Sequence, residues 1–197
     1  LSSSIVNSIY NYQLMKFAGE NGVAAYGTIM YVNFIFIAIF LGYSIGSAPI
    51  ISFHYGAKND NELKNLFKKS ISLIGSWGIM LFVIAQLIAG PLAKLFVGYN
   101  ADLFLMTKHG FQIFCFAFLI NGFNIFGSSF FTALNNGLIS AAISFLRTLV
   151  FQLSVVLILP MILGINGIWI SVAIAELLTL CVTVTCLIRK RKVYHYI

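Results

Sequence analysis

Long stretches without a charged residue are the feature that most constrains the fold of this 197-residue chain. A helix that spans the hydrocarbon core of a bilayer needs about 20 mostly apolar residues, and open strands cannot satisfy their backbone hydrogen bonds in lipid. The sequence therefore predicts an all-α integral membrane protein, a six-helix transmembrane bundle over residues 1–188 with a basic cytoplasmic tail over 189–197. The six predicted spans are Leu1–Met15, Ala24–Phe53, Ser70–Gly90, Gly110–Leu134, Ile139–Leu163 and Gly167–Ile188.

Composition excludes the other broad classes of protein. The chain is 60% hydrophobic and 9% charged, whereas a soluble domain averages about 45–50% apolar and about 25% charged residues. Most of the chain has no charge to present to phosphate, so we expect membrane lipids and no nucleic acid as partners. No spacing matches a zinc site, a nucleophile elbow or a phosphate-binding loop. We therefore expect no enzyme activity, no metal and no cofactor.

The first apolar run is short and partly polar, and it starts at Leu1 rather than at a methionine. It has neither the charged n-region nor the small-residue cleavage site of a signal peptide, so we do not expect it to be one. We expect the first helix to be truncated at its start and the chain to be a fragment that lacks its N-terminal part.

Glycine, proline and polar residues mark the predicted helix borders. Residues 17–22 close the first helix, residues 135–137 separate the fourth from the fifth, and residues 164–167 form a tight turn before the last. Pro91 is predicted to end the third helix, with residues 92–102 as a short interfacial segment.

The second span contains a segment rich in small residues that ends in a proline. Pro49 removes a backbone donor and predicts a kink. Gly42 and Gly46 are small enough to let a neighbouring helix approach closely. Helix packing and a hinge that lines a site both remain open for this segment.

The basic residues of the loops predict the orientation of the chain. Nine of the twelve Lys and Arg residues fall on the side that carries the loop after the second helix and the C-terminus. The positive-inside rule places that side, and both chain ends, in the cytoplasm of a multi-pass protein. Residues 55–69 alternate charges with apolar residues and predict a short amphipathic helix on the inner membrane surface.

Polar residues within two spans form stripes at helical spacing. Ser4, Asn7 and Asn11 share one face of the first helix, because residues three and four apart are neighbours. The fourth helix repeats this pattern with Asn121, Asn124 and Ser128. Interhelical hydrogen bonding explains such stripes, and so does a hydrated substrate cavity.

One carboxylate and one guanidinium lie within predicted spans. Glu176 is near the middle of the sixth helix and is a candidate for ion coupling or for structural hydrogen bonding. Arg147, in the fifth helix, is its candidate charge partner. Counted from the predicted turn, the two positions differ in depth by roughly 12 Å, so a direct pair is expected to be strained unless the arginine snorkels.

The order of these features resembles a known family. Segments 2–7, 17–20 and 24–27 resemble the start of the second half of multidrug and toxic compound extrusion (MATE) transporters, most closely the MepA-like bacterial branch. Residues 42–58 are similar to the kinked helix of that branch and its entry to the cytoplasmic loop. The later matching segments are Phe130–Leu134 with Arg147 downstream, and Pro160–Trp169 with Glu176 downstream.

The resemblance implies a twelve-helix, two-bundle antiporter in the bacterial inner membrane, of which this chain is the C-terminal bundle. Such proteins export small cationic, amphipathic organic compounds in exchange for H⁺ or Na⁺ by alternating access. The missing N-terminal six-helix half is then an expected partner. The first and fourth helices lack the carboxylates that some branches carry there, which places ion coupling through this half in question. A lipid-linked oligosaccharide flippase of the same superfamily and a non-transporting fragment are the alternatives.

Overall fold

A computed structural model describes residues 2–196 as a bundle of α-helices. Leu1, where the predicted bundle begins, and Ile197, where the predicted tail ends, lie outside the described residues. A 3₁₀ turn at Cys115–Ala117 and a π-helical segment at Leu146–Phe151 each join two helices without a loop. The helices are α1 Ser2–Gly56, α2 Asp60–Val97, α3 Ala101–Phe114, α4 Phe118–Ala133, α5 Gly137–Phe145, α6 Gln152–Leu163 and α7 Ile165–Tyr194.

Five helical segments within residues 2–196 are long and apolar enough to cross a membrane, which confirms the predicted all-helical membrane architecture. The later segments combine helices that follow each other without a loop, α3 with α4 and α5 with α6. Their ranges are Ser4–Gly56, Asp60–Val97, Ala101–Ala133, Gly137–Leu163 and Ile165–Tyr194.

Helix α1 is not straight, because it breaks at Gly19. This residue has φ 62° and ψ −154°, a conformation that is essentially restricted to glycine. The rings of Tyr10 and Tyr26 stack across the break with their centroids 5.2 Å apart. In a straight helix, 16 residues would separate them by about 24 Å. The chain therefore folds back at Gly19, inside the border predicted for residues 17–22.

Asparagine starts three of the helices. The side chains of Asn59, Asn100 and Asn136 each accept a hydrogen bond from the backbone N–H three residues later, at 3.2, 3.1 and 3.2 Å. These N-caps satisfy backbone donors that have no partner within the helix. Asn135, with φ 59°, supplies the left-handed turn that ends α4 and confirms the predicted break at residues 135–137.

The two predictions made for the ends of α2 are wrong. The amphipathic segment 55–69 does not form a separate surface helix, since α2 begins at Asp60 and continues without a break. Pro91 does not end it either, because the helix runs on to Val97. The buried residues recur every three or four positions along one face, from Leu63 to Val97. Pro91 lies on the opposite, exposed side of α2. Packing of the buried face outweighs the one backbone hydrogen bond that is lost at the proline.

Helix α4 occupies the centre of the bundle and packs against α1, α2, α5 and α7. Its phenylalanines are the main core residues. Phe118 packs against Phe36 of α1 with ring centroids 4.9 Å apart, and Phe130 packs against Phe67 of α2 at 5.0 Å. Gly122 brings α4 close to α1 and α2, because an added Cβ would lie 2.6 Å from side-chain atoms of both.

The chain segment after α7 folds back on the bundle. The Tyr196 ring packs against Phe67 with centroids 5.0 Å apart, and its hydroxyl donates to the Leu187 carbonyl at 2.7 Å. Burial raises the pKa of the Tyr196 phenol, so the hydroxyl remains a donor at neutral pH. Tyr194 packs against Tyr55 at the end of α1. These contacts place the start of α2 and the end of α7 at the same end of the bundle.

Candidate functional site

Glu176 and Arg147 form an ion pair inside the bundle. Arg147 Nη2 lies 2.6 Å from Glu176 Oε1, and Nε donates to the same oxygen at 2.8 Å. Glu176 is 5% exposed, and the Arg147 side chain is 22% exposed. A buried charge is costly unless a partner of opposite charge compensates it, so each of these side chains stabilises the other.

The expectation that this pair is strained by a difference in depth is wrong. It assumed a turn that extends to Gly167, but α6 ends at Leu163 and α7 already begins at Ile165. Counted from Gly164, the two positions are 17 and 12 residues away, a difference of roughly 7.5 Å, which a long arginine side chain spans.

Two glycines allow this short turn. Gly164 has φ 57°, which favours glycine because it has no Cβ. Gly167 lies against α6 so closely that an added Cβ would be 2.5 Å from the Leu159 carbonyl oxygen. Helices α6 and α7 are thereby held close together at the turn that joins them.

The segment that carries Arg147 is a π-helical turn. Gln152, which follows it, donates its backbone N–H to the carbonyl of Arg147, five residues earlier. Such turns are rare, occur mostly as single turns and are frequent at functional sites. The sequence of this segment contains no signal for a π-helical turn, so the turn could not be predicted.

Amides complete the surroundings of the carboxylate. Asn124 Nδ2 donates to Glu176 Oε2 at 2.7 Å and to its backbone carbonyl at 2.8 Å. With its amide oriented by its partners, Asn121 donates to Glu176 Oε1 at 3.0 Å and to the Ala117 carbonyl at 3.2 Å. Thr183 donates to Asn124 Oδ1 at 3.0 Å. In each of these contacts to the carboxylate oxygens, a nitrogen of Asn121, Asn124 or Arg147 donates the hydrogen bond.

A cavity of about 190 Å³ opens beside the ion pair. Among the predicted site residues, Asn7, Asn121, Arg147 and Glu176 line it. Asn33 lines it as well and is 8% exposed, and its Oδ1 has no hydrogen-bond partner. Asn33 could not be predicted as a cavity residue from the sequence, because a single asparagine in an apolar span has no periodic pattern to mark it.

Ser128 belongs to a second cavity, of about 220 Å³. Its hydroxyl is within 2.9 Å of the hydroxyls of both Ser140 and Ser144. Arg147 lines this second cavity as well as the first, so the guanidinium lies between the two. Asn124 is fully buried, lines neither cavity and acts within the hydrogen-bond network.

The polar stripe of the first helix is brought only partly to this site. Ser4 and Asn11 are exposed and line neither cavity, whereas Asn7 lines the first. A residue missed in that helix is Tyr10, which is fully buried and lies 2.8 Å from the Ser171 hydroxyl. A tyrosine in an apolar run is as typical of a membrane interface as of a polar core, so the sequence alone did not locate it.

The predicted kink segment remains helical. Pro49 lies inside α1, and Gly19 is the residue of α1 that departs from helical geometry. The close helix approach predicted at Gly42 and Gly46 does not occur among residues 2–196, because an added Cβ at either meets no described atom within 4 Å. Both glycines are exposed, since the described helices pack on other faces of α1. In residues 2–196, no group of three His, Cys, Asp or Glu residues comes together to bind a metal.

Comparisons with solved structures show the fold. The chain is similar to a multidrug resistance MATE family transporter of the MOP superfamily in its outward-facing conformation, at 21% identity and a TM-score of 0.90 over 98% of this chain. The inward-facing conformation matches with the same identity, TM-score and share of this chain. A MOP superfamily transporter from Pyrococcus furiosus, described as having a binding pocket of reversed polarity, matches at 20% identity and a TM-score of 0.87 over 98% of this chain.

The chain spans 44 or 45% of the length of these three structures. No curated protein matches it in a sequence search. A family model described as MatE matches residues 1–158, which is most of the chain. The chain therefore belongs to the MatE family.

Proposed function

We propose that this chain is the C-terminal six-helix bundle of a multidrug efflux antiporter with twelve helices in two bundles. It would export small cationic, amphipathic compounds in exchange for H⁺ or Na⁺ by alternating access, in the bacterial inner membrane with both ends of this segment cytoplasmic. The observation that carries the proposal is a cavity lined by asparagines and a buried carboxylate, in a bundle with the fold of half a MATE transporter.

The fold-back in α1 supports a count of six membrane crossings. A helix of 55 residues would be about 82 Å long if it were straight, against a hydrocarbon core of about 30 Å. The stacking of Tyr10 on Tyr26 supports two antiparallel crossings joined at Gly19. Together with the four later spanning segments, these two crossings would make the six that we propose.

A missing second half would explain the open face of α1. Gly42 and Gly46 are exposed and meet no neighbour, and Phe34 beside the first cavity is 65% exposed. At about 190 Å³, the cavity is smaller than the roughly 300–1,000 Å³ of typical ligand sites. A second bundle packed over this face would enlarge and close the site.

The walls of the cavity suit a cationic, amphipathic substrate. Asn33 offers an unpaired acceptor, and Phe34 and Phe114 supply aromatic surface, which binds organic cations. Arg147 is the one cation that lines the described cavity, and Glu176 neutralises it. A flippase for lipid-linked oligosaccharides would need a more strongly cationic cavity, and no described contact provides one.

The role of Asn121 in the cavity can be tested in the full-length protein. We expect Asn121→Leu to reduce drug resistance without lowering abundance, because it replaces a polar wall group with an apolar one. Asn11→Leu is the matched control, since Asn11 lines neither described cavity and should leave resistance unchanged. Unchanged resistance in Asn121→Leu at equal expression would remove this residue from the site.

Glu176 is the candidate for ion coupling in this half, because it is a buried carboxylate at the cavity wall. We expect Glu176→Gln to alter the pH dependence of drug transport in proteoliposomes, since glutamine neither titrates nor carries charge. Glu20→Gln, at an exposed position, is the control. An identical pH profile in Glu176→Gln and the unmodified protein would show that coupling does not pass through Glu176.

A further inference from the structure

A second type of cavity lies on the outside of the bundle, between α2, α4 and α7. It is a groove of about 370 Å³, lined by Phe67 and Ile71 of α2, Phe123 of α4 and a stripe of α7 from Leu180 to Ile188. Its lining is apolar except for Thr183. The volume is within the range of small-molecule sites. The groove shares no lining residue with the first cavity, the one beside the ion pair, which is called the central cavity below.

The groove is preformed. Phe67 is held by ring contacts with Phe126, Phe130 and Tyr196. Thr183 is fixed from behind by its hydrogen bond to Asn124. A ligand therefore meets walls that are already in place, which reduces the entropy lost on binding.

Basic residues continue the same helix faces beyond one end of the groove. Lys64 and Lys68 precede Phe67 and Ile71 by three residues each. On α7, Arg191 follows Ile188 by three residues, and Lys192 follows it by four. Residues at these spacings are neighbours on a helix surface, and the packing of Tyr196 on Phe67 confirms that both sets lie at one end of the bundle.

Among residues 2–196, no carboxylate pairs with these cations. The ion pair between Arg147 and Glu176 is the one that occurs among residues 2–196, so the charges at the groove end are free to meet an external anion. Eight basic residues lie in segments 57–69 and 189–192 together, against two acidic ones, Asp60 and Glu62.

The depth of the groove matches one leaflet of a bilayer. Its α7 wall runs from Leu180 to Ile188, and the helical rise between these two residues is about 12 Å. The hydrocarbon core is about 30 Å thick, so one leaflet accounts for about 15 Å. An apolar groove of this depth with cations at its outer end is complementary in shape and charge to an anionic phospholipid.

We propose that this groove binds one anionic phospholipid of the cytoplasmic leaflet, with an acyl chain along Phe67, Phe123 and Leu180 and its headgroup phosphate at Lys64, Lys68, Arg191 and Lys192. This site is separate from the central cavity and does not depend on which compounds the protein transports. It differs from general attraction of basic loops to anionic membranes, because it requires the groove as well as the charges.

The test is lipid retention by the purified full-length protein in detergent, measured by native mass spectrometry. The two probes are phosphatidylglycerol and phosphatidylcholine with identical acyl chains. We expect one phosphatidylglycerol to be retained per chain in preference to phosphatidylcholine. Equal retention of the two lipids would overturn the proposal.

Variants separate the charges from the groove. We expect Lys64→Gln with Lys68→Gln, or Arg191→Gln with Lys192→Gln, to lower phosphatidylglycerol retention by about fivefold per charge removed. Lys94→Gln with Lys108→Gln removes two charges from the opposite end and should have no effect. If that control variant loses as much lipid, the effect is general electrostatics and the site is refuted.

Val184→Trp tests the groove itself, because residue 184 is on its wall and 41% exposed. We expect the larger side chain to occupy the groove and to reduce retention at least tenfold while the melting temperature stays unchanged. Undiminished retention would overturn the proposal. Inorganic phosphate at millimolar concentration should not displace the lipid, and complete displacement would show a free-phosphate site in place of a lipid groove.

Discussion

At the scale of the residue, the central feature is a buried carboxylate whose oxygens are contacted only by donors among the described side chains. Arg147, Asn124 and Asn121 all bind Glu176. Pairing stabilises both charges. A protein in which well-packed apolar residues replace a buried ion pair is nevertheless often equally stable. Stability alone therefore does not require this ion pair, and both of its members line the cavity.

The energetic dependence of each partner on the other can be measured. We expect Glu176→Ala to lower the stability of the full-length protein by about 3–5 kcal/mol, because Arg147 is left buried without a partner. Arg147→Met combined with Glu176→Leu should recover most of that loss. Thermal unfolding in detergent measures both, with Glu20→Ala as the exposed control. A double variant as unstable as Glu176→Ala would contradict this account.

At the scale of the element, small residues decide how closely the helices pack. An added Cβ at Gly122 would lie 2.6 Å from Ile74 Cγ2 of α2 and from Phe40 Cδ1 of α1. Both neighbours are almost fully buried, at 3% and 2% exposure, so neither can move aside. Gly122 therefore sets the distance between α4 and two other helices.

We expect Gly122→Ala to destabilise the protein by about 1–3 kcal/mol, the usual cost of overpacking a core. The control is Gly137→Ala, because an added Cβ there meets no atom within 4 Å. The melting temperatures of the two variants, compared with that of the unmodified protein, provide the measurement. Equal melting temperatures for the two would show that α4 is not held at this contact.

At the scale of the whole molecule, the turns collect at two ends. The start of α2, the turn after α4 and the end of α7 lie together, as shown by the hydrogen bond from Asn136 to Tyr194 and the packing of Tyr194 on Tyr55. The turn after α6 lies at the other end, where Asn166 bonds to His109 at 3.0 Å.

This arrangement predicts which positions face the same side of the membrane. In a full-length variant without native cysteines, we expect Asn61→Cys and Val193→Cys to react with an impermeant maleimide from one side. Glu20→Cys and Tyr99→Cys should react from the opposite side, because α1 folds back at Gly19. Reaction of Glu20→Cys from the same side as Asn61→Cys would contradict six crossings.

Much of the fold could be predicted because bilayer physics acts on each segment by itself. Apolar length located the spans, and the polar segments near Gly19 and Asn135 marked real breaks. The predicted helix end at Pro91 was wrong, because the effect of a proline depends on whether neighbouring helices hold α2 together on both sides of it. The π-helical turn at Arg147 had no marker in the sequence at all.

The site shows the same division. That Glu176, Arg147 and the asparagines are unusual follows from the sequence alone, since polar groups in lipid are costly wherever the helices lie. Only the tertiary structure decided which of these residues meet. The one-residue turn at Gly164, the π-helical turn and the placement of α4 brought Arg147, Asn121 and Asn124 into contact with Glu176. The same packing left Ser4 and Asn11 outside the cavity. Burial in a membrane is a property of each segment, whereas a contact depends on the depth and rotation of two helices, which packing alone determines.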